Sequence, residues 1–228
     1  MQAAAPILSD DAHQLRHGGW LVDARRRQRF TSALHNEGWP VPSLPTDLTL
    51  TDDELTLSRP TEGDVEGLVA VCQDQEIQRF TQVPSPYTAE DARGFVTLAR
   101  DGLEEGSQAP LLVRDHDDRL LGSCGLVEID WNDLGAEVGY WVAPWARGEG
   151  VATRAARMVC HWALKEVGIE RLDLEAAAIN PASNAVARKL GFTLEGTRRR
   201  SAIEGATGEP GTERMDMHVW GLLPGELT

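Results

Sequence analysis

A mixed α/β fold, with a central twisted sheet and helices on both of its faces, is what this 228-residue sequence predicts. Three observations carry the expectation. From Leu48 onward, short strand-like runs alternate with segments of helical periodicity. Glycines stand just past two of the helical segments, at Gly168 and Gly191, where a helix commonly stops. The composition, 41% hydrophobic and 25% charged, is that of a globular chain long enough for one well-packed core and an appendage.

The elements follow in order. Glu54-Leu-Thr-Leu-Ser58 alternates apolar and polar residues and reads as a strand. Pro60 and Thr61 open a helix: Asp64 stands three residues after Thr61, and Val65, Leu68, Val69 and Cys72 recur at helical spacing. A second helix starts at Thr88-Ala-Glu-Asp91 and buries Phe95, Leu98, Ala99 and Leu103. Segments 109–113 and 120–129 flank the polar turn Asp115-His-Asp-Asp118 as a hairpin, and 136–142 adds a third strand. A long helix runs from Gly150 to about Val167, then come a strand at 172–176, a short helix at 183–190, and strands at 192–197 and 215–220. Strands with intervening helices in this order form a mixed sheet. Residues 1–47 stand apart. A basic amphipathic stretch from Asp23 to Leu34, with Arg25, Arg26, Arg27 and Arg29, precedes the proline-punctuated Trp39-Pro-Val-Pro-Ser-Leu-Pro45, so we expect an accessory helix and linker there and the folded domain over 48–228.

Charge narrows the partners. A formal net charge of -14 and a pI near 4.8 repel nucleic-acid phosphates and anionic membrane surfaces, so neither is expected, and a cationic partner fits better. Cys72, Cys124 and Cys160 are widely spaced, with no CxxC pair and no histidine cluster, so neither a metal site nor a structural disulfide is expected. The start, MQAAAPILSDDAHQL, lacks the basic and apolar regions of a signal peptide, and no uncharged apolar run approaches membrane-spanning length; the expected address is the cytoplasm.

The most informative stretch is Val138-Gly-Tyr-Trp-Val-Ala-Pro-Trp-Ala-Arg-Gly-Glu-Gly-Val-Ala152: a strand, a loop with two glycines, then a helix. Free N–H groups at a helix N-terminus, approached closely because of glycine, suit a pyrophosphate. The lysine and hydroxyl of a P-loop are absent, and so is GxGxxG. On spacing alone a glycine turn without function fits as well. Arg147-Gly148-Glu149-Gly150-Val151-Ala152 resembles the (Q/R)xxGx(G/A) acyl-CoA loop of the GNAT superfamily. Further on, Asn180-Pro-Ala-Ser183-Asn-Ala-Val-Ala-Arg-Lys189-Leu-Gly-Phe192 is similar to the NxxSxxxxxKLGF segment of the ribosomal-protein acetyltransferase branch, the RimJ and RimL types. Leu194-Glu-Gly-Thr-Arg198, Glu213-Arg-Met-Asp-Met217 and Trp220-Gly-Leu-Leu223 resemble that branch's closing strands, so the likeness runs in order from Leu55 to Leu223.

The resemblance implies a GNAT fold and direct transfer of an acetyl group from acetyl-CoA to a primary amine, with no metal and no covalent enzyme intermediate. The amine must lose a proton, the tetrahedral oxyanion needs a donor, and the departing thiolate must be tolerated or protonated. Glu137, beside the strand that by resemblance holds pantetheine, is the expected base; binding the cationic acceptor is its alternative role. The Val142 N–H is the expected oxyanion donor. Arg147, Gly148, Glu149, Gly150, Val151 and Ala152 form the expected cofactor loop, and Asn180 the expected ligand of the pantetheine arm. Many members carry a tyrosine two residues before the lysine of KLGF, where this chain has Ala187. The acid is then Ser183 or Tyr140 acting through water, or the thiolate leaves unaided. Ser183 reads equally well as the N-cap of its helix.

Other residues read more plainly. Cys124 is expected to pack in the core, His161 and Trp162 to pack along their helix, and Arg198-Arg-Arg200 to form a solvated strand end. Trp131, Trp141 and Trp145 are candidates for an aromatic wall beside the cofactor. The acceptor is open between a protein or peptide N-terminus and a small-molecule amine such as a metabolite or amine antibiotic. A non-catalytic acyl-CoA-binding module, supported by Ala187, is the rival reading. An exposed final strand or the N-terminal helix is the expected route to a homodimer.

Overall fold

The computed structural model describes residues 44–206 and 213–228. The expected accessory helix and most of its linker lie outside these residues. The described strands are β1 (Thr49–Thr51), β2 (Thr56–Ser58), β3 (Ala109–Arg114), β4 (Leu120–Asp130), β5 (Gly135–Val142), β6 (Arg171–Ala177), β7 (Thr193–Ile203) and β8 (Arg214–Leu222). They form one sheet in the order β1-β2-β3-β4-β5-β6-β8-β7. Only β5 and β6 pair in parallel. The helices are α1 (Val65–Val71), α2 (Gln75–Phe80), α3 (Ala89–Glu105), α4 (Val151–Trp162) and α5 (Pro181–Lys189). The mixed sheet covered on both faces is as expected; β1 and α2 were not foreseen, and β7 is longer than the 192–197 the sequence pointed to.

Local chemistry accounts for the boundaries. At the start of α1 the Thr61 and Asp64 side chains and backbones cap one another, and Thr88 and Asp91 do the same for α3. The α4 backbone carries on through one π-helical turn, Ala163–Val167, and stops at Gly168 with φ +85°. β3 is buried at all six positions because helices cover both of its faces. On one face α1, α2 and α3 contribute Leu68, Ile77 and Phe95 to a cluster that includes Leu112 and Trp141 of the sheet. On the other, α4 and α5 contribute Val159 and Val186 to the larger cluster around Leu126, Leu174 and Trp220. Leu44 and Leu48 reach into that larger cluster from either side of the expected boundary, and the Leu44 N–H donates to the Leu103 carbonyl.

Asn184 fastens α5 to the sheet. It is 2% exposed, and its Nδ2 donates to the carbonyls of Ala177 (2.9 Å) and Asn180 (2.6 Å). Its Oδ1 accepts from Trp220 Nε1 (3.1 Å) and lies 2.7 Å from His218 Nδ1 on β8. Truncation leaves several buried polar groups without partners. Asn184→Ala is therefore expected to lower unfolding stability by about 3 kcal/mol, read by urea denaturation.

Candidate active site

The site begins where the parallel pairing ends. β5 and β6 pair only over Gly135–Glu137 and Arg171–Asp173. Beyond Glu137, β6 continues along β8 to Ala177 while β5 follows β4, so the two strands splay. The register of β4 against β5 shifts between Leu126 and Glu128, a bulge opposite Glu137 and Val138. A bulge strengthens local twist, which turns β5 away from β6 at this point. The resulting wedge is a cleft of about 920 Å³.

The splay exposes backbone as well as space. Ala143 N–H donates to the Leu121 carbonyl, so these two residues form a hydrogen-bonded antiparallel pair. Alternation along the register then makes Val142–Gly122 and Tyr140–Cys124 non-hydrogen-bonded pairs. The N–H and C=O groups of Val142 and Tyr140 consequently point away from β4, toward the gap.

At the wide end of the wedge, β5 leads into the glycine loop and α4. Gly148 and Gly150 have φ near +83° and +82°, a region that disfavours any residue with a Cβ. Gly150 is the N-cap and brings no side-chain oxygen, and the first helical bond runs from Arg154 N to Gly150 O. The N–H groups of Val151, Ala152 and Thr153 are thus left without helical acceptors, a ready anion site. All three residues line the cleft, together with Arg147, Gly148 and Gly150. Glu149 does not, so the loop residue whose charge would oppose an anion faces elsewhere. Thr153 was missed because the sequence pattern ends one residue before it.

Side-chain alternation divides the rest between two faces. Glu137 shares a face with Trp141 and looks toward the α1–α3 side; it lines the cleft, with Oε2 shielded from solvent. On the same face, Arg198 of β7 forms an ion pair with Glu175 of β6 and lines the cleft; it is exposed, as are Arg199 and Arg200, so the run is solvated as expected, but it lies within β7 and not at its end. Tyr140 occupies the other face, against α5. Its hydroxyl lies 2.9 Å from Ser183 Oγ and donates to the Ser183 carbonyl at 3.3 Å. Burial pushes the Tyr140 phenol well above its ordinary pKa, outweighing the opposing hydrogen bond from Ser183, so the hydroxyl keeps its proton across the physiological range.

Ser183 is not the N-cap of α5. Asn180 is, its Oδ1 accepting from the Ser183 N–H at 3.1 Å, which leaves the Ser183 hydroxyl to Tyr140. Asn180 lines the cleft as well. Ala187 is completely buried, so the position of the missing tyrosine carries no polar group into the site. Of the three tryptophans only Trp141 borders the cleft. Trp131 Nε1 donates to the Gly106 carbonyl and Trp145 Nε1 to that of Leu120, each engaged elsewhere. Cys124 is buried, and burial raises its thiol far above the ordinary value, in keeping with packing. His161 is exposed and Trp162 buried. Among the described residues there is no cluster of metal-ligating side chains, and no helix is long and apolar enough to cross a membrane.

One cleft thus joins an open strand edge, the first-turn N–H groups of α4 and a shielded carboxylate. Comparison with known proteins specifies it: residues 54–193 match the acetyltransferase (GNAT) domain, and the chain belongs to that family of N-acetyltransferases. Among curated relatives, the N-acetyltransferase p20 of Bacillus licheniformis is 25% identical over 181 residues, covering 78% of this chain and 97% of that protein. The ribosomal-protein-serine acetyltransferase of Escherichia coli is 23% identical over 158 residues, 68% of this chain and 88% of that one. YdaF of Bacillus subtilis is 36% identical over 94 residues, a match that spans half of its length. Among solved structures, RimL, a ribosomal L7/L12 alpha-N-protein acetyltransferase in complex with coenzyme A, superposes with a TM-score of 0.70 at 20% identity, over 77% of this chain and 98% of that one. Spermidine N-acetyltransferase from Vibrio cholerae, bound to CoA and spermine, gives 0.65 at 19%, over 77% and 98%.

Proposed function

We propose that this protein transfers an acetyl group from acetyl-CoA directly to a primary amine, in the wedge between β5 and β6. The single observation that carries the reading is the splay: one wedge contains an anion cradle, an unpaired strand edge and Glu137. The residues fit the donor. The first-turn N–H groups of α4, with Gly148, Gly150 and Arg147, suit its pyrophosphate, and the β5 edge, with Asn180 opposite, suits its amide-bearing arm.

The reaction forms a C–N bond and breaks a C–S bond, and the chain's groups match its needs. Glu137, on the acceptor face, takes the amine proton directly or through water. The Val142 N–H donates to the oxyanion. With Ala187 in place of the usual tyrosine, Ser183 or Tyr140, whose hydroxyls lie 2.9 Å apart, passes a proton to the departing thiolate through water, or the thiolate leaves unaided.

The acceptor is a protein or peptide N-terminus in the reading we favour, in line with the ribosomal-protein acetyltransferases among the relatives; a small amine is the alternative, in line with the spermidine enzyme. Residues 1–47 are kept as an accessory segment; the final strand expected to mediate a homodimer is β8, which lies inside the sheet between β6 and β7, so the edge strand β7 takes its place as the proposed route. The test is release of free CoA from acetyl-CoA, read with a thiol reagent, across N-terminal peptides, polyamines, free amino acids and aminoglycosides. Turnover with one class establishes the reaction and its acceptor. Silence across the panel with acetyl-CoA still bound would favour an acyl-CoA-binding module instead.

A further inference from the structure

One carboxylate joins the glycine loop to α2, which lines the cleft on the Trp141 face. Asp74 caps α2, its Oδ1 accepting from the Ile77 N–H at 3.0 Å. Both of its oxygens also accept from the Arg147 guanidinium, Nη1 and Nη2, in a bidentate pair. The Nε of the same guanidinium donates to the Val142 carbonyl at 3.3 Å. A single side chain thus links the first turn of α2, the first residue of the glycine loop and the last residue of β5.

The far end of α2 is fastened as well. Arg79 Nε lies 2.8 Å from Glu204 Oε1, and the Gly205 N–H donates to the Arg79 carbonyl at 3.0 Å. The helix is therefore strung between the glycine loop and the segment after β7, and Glu76, Ile77 and Phe80 line the cleft. Six residues are too few to hold a helix on their own in water, so its position depends on these two ties. Burial raises the Asp74 pKa, but the hydrogen bonds from Arg147 and the backbone, with the guanidinium charge, outweigh it and hold the carboxyl below its ordinary value. Arg147 has five N–H donors, of which these contacts use three, so two remain for an anion in the cradle.

We propose that Asp74 is a positioning residue that couples the two substrate sites: an anion settling on Arg147 steadies α2, and with it the acceptor wall. The proposal rests on the reading that CoA occupies the glycine-loop cradle.

Amide hydrogen exchange over residues 77–80, with and without CoA, tests it without a known acceptor. In the unaltered protein CoA should slow exchange there by about fivefold, the lower end of typical site-to-site coupling. Asp74→Asn keeps a side chain that caps helices equally well but removes the negative charge that faces Arg147. It should abolish the CoA response while leaving CoA affinity, by calorimetry, within about threefold, because the N–H cradle is untouched. Glu204→Gln loosens only the far tie; it should raise basal exchange at Phe80 and keep the CoA response. A full response in Asp74→Asn, no response in the unaltered protein with CoA bound, or a lost response in Glu204→Gln would each overturn the coupling. Failure of CoA to bind the unaltered protein would instead remove the reading of the cradle, and the coupling with it.

Discussion

Gly150→Asp is expected to abolish measurable binding of acetyl-CoA. The new side chain has room, since a Cβ at this position meets nothing within 4 Å. Loss of binding would therefore not come from a clash within the protein. A carboxylate held at the N-terminus of α4 occupies the place where the first-turn N–H groups receive an anion, and it repels a pyrophosphate there. A like charge at about 4 Å with an effective dielectric of about 20 costs on the order of 4 kcal/mol, so a fall in affinity on the order of 100-fold or more is expected even after solvent screening. Gly150→Ala separates backbone strain from charge. It carries the roughly 1–2 kcal/mol penalty of a left-handed residue, and should lower stability more than affinity. Calorimetric titration of acetyl-CoA into the three proteins reads both effects. Unchanged affinity in Gly150→Asp would remove the cradle from the site.

Glu137→Gln should reduce turnover by about 10²- to 10⁴-fold near neutral pH, the range a positioned base contributes. The loss should shrink as pH rises. A primary amine near neutrality is mostly protonated, with a pKa of about 8 for an α-amino group and about 10 for an alkylamine. Without a base the enzyme depends on the small fraction of free amine, which grows about tenfold per pH unit below that pKa. The profile of kcat/KM for the variant should therefore climb toward the unaltered enzyme's at alkaline pH, and the pH at which it levels off reports the acceptor amine. If the variant shows an unchanged kcat and only a raised acceptor KM, Glu137 binds the cationic acceptor and another group takes its proton.

The placement of these two residues along one cleft was legible in the sequence for physical reasons. A glycine pair between a strand and a helix leaves few alternatives to a tight turn at a helix N-terminus, and alternation alone assigns Glu137 to one face of its strand. Glu149 shows where such reading stops: position in a motif says nothing about which way a side chain turns, and this one lies outside the cleft lining. The Tyr140–Ser183 contact joins residues 43 positions apart, and only the packing of α5 against the splayed strands brings them together. Ser183 was open to reading as a cap because Asn180, Ser183 and Asn184 all have capping side chains; the backbone selects Asn180. β1 and α2 went unread because three and six residues carry too little periodicity, and α2 depends on Arg147 and Glu204, which lie far away in the chain. The extent of β7 was hidden by its interruption: the register shifts between Arg198 and Ala202, with Arg200 at φ +48°.

The central claim is that the donor lies along the open edge of β5. Backbone amide resonances report it most directly, recorded by NMR during titration with acetyl-CoA. Large, saturable shifts are expected for Tyr140, Val142, Val151 and Ala152, with the exposed edge strand β7 near residues 194–197 unmoved. Saturable binding that leaves Tyr140 and Val142 unshifted while moving amides elsewhere would contradict it and place the cofactor outside the wedge.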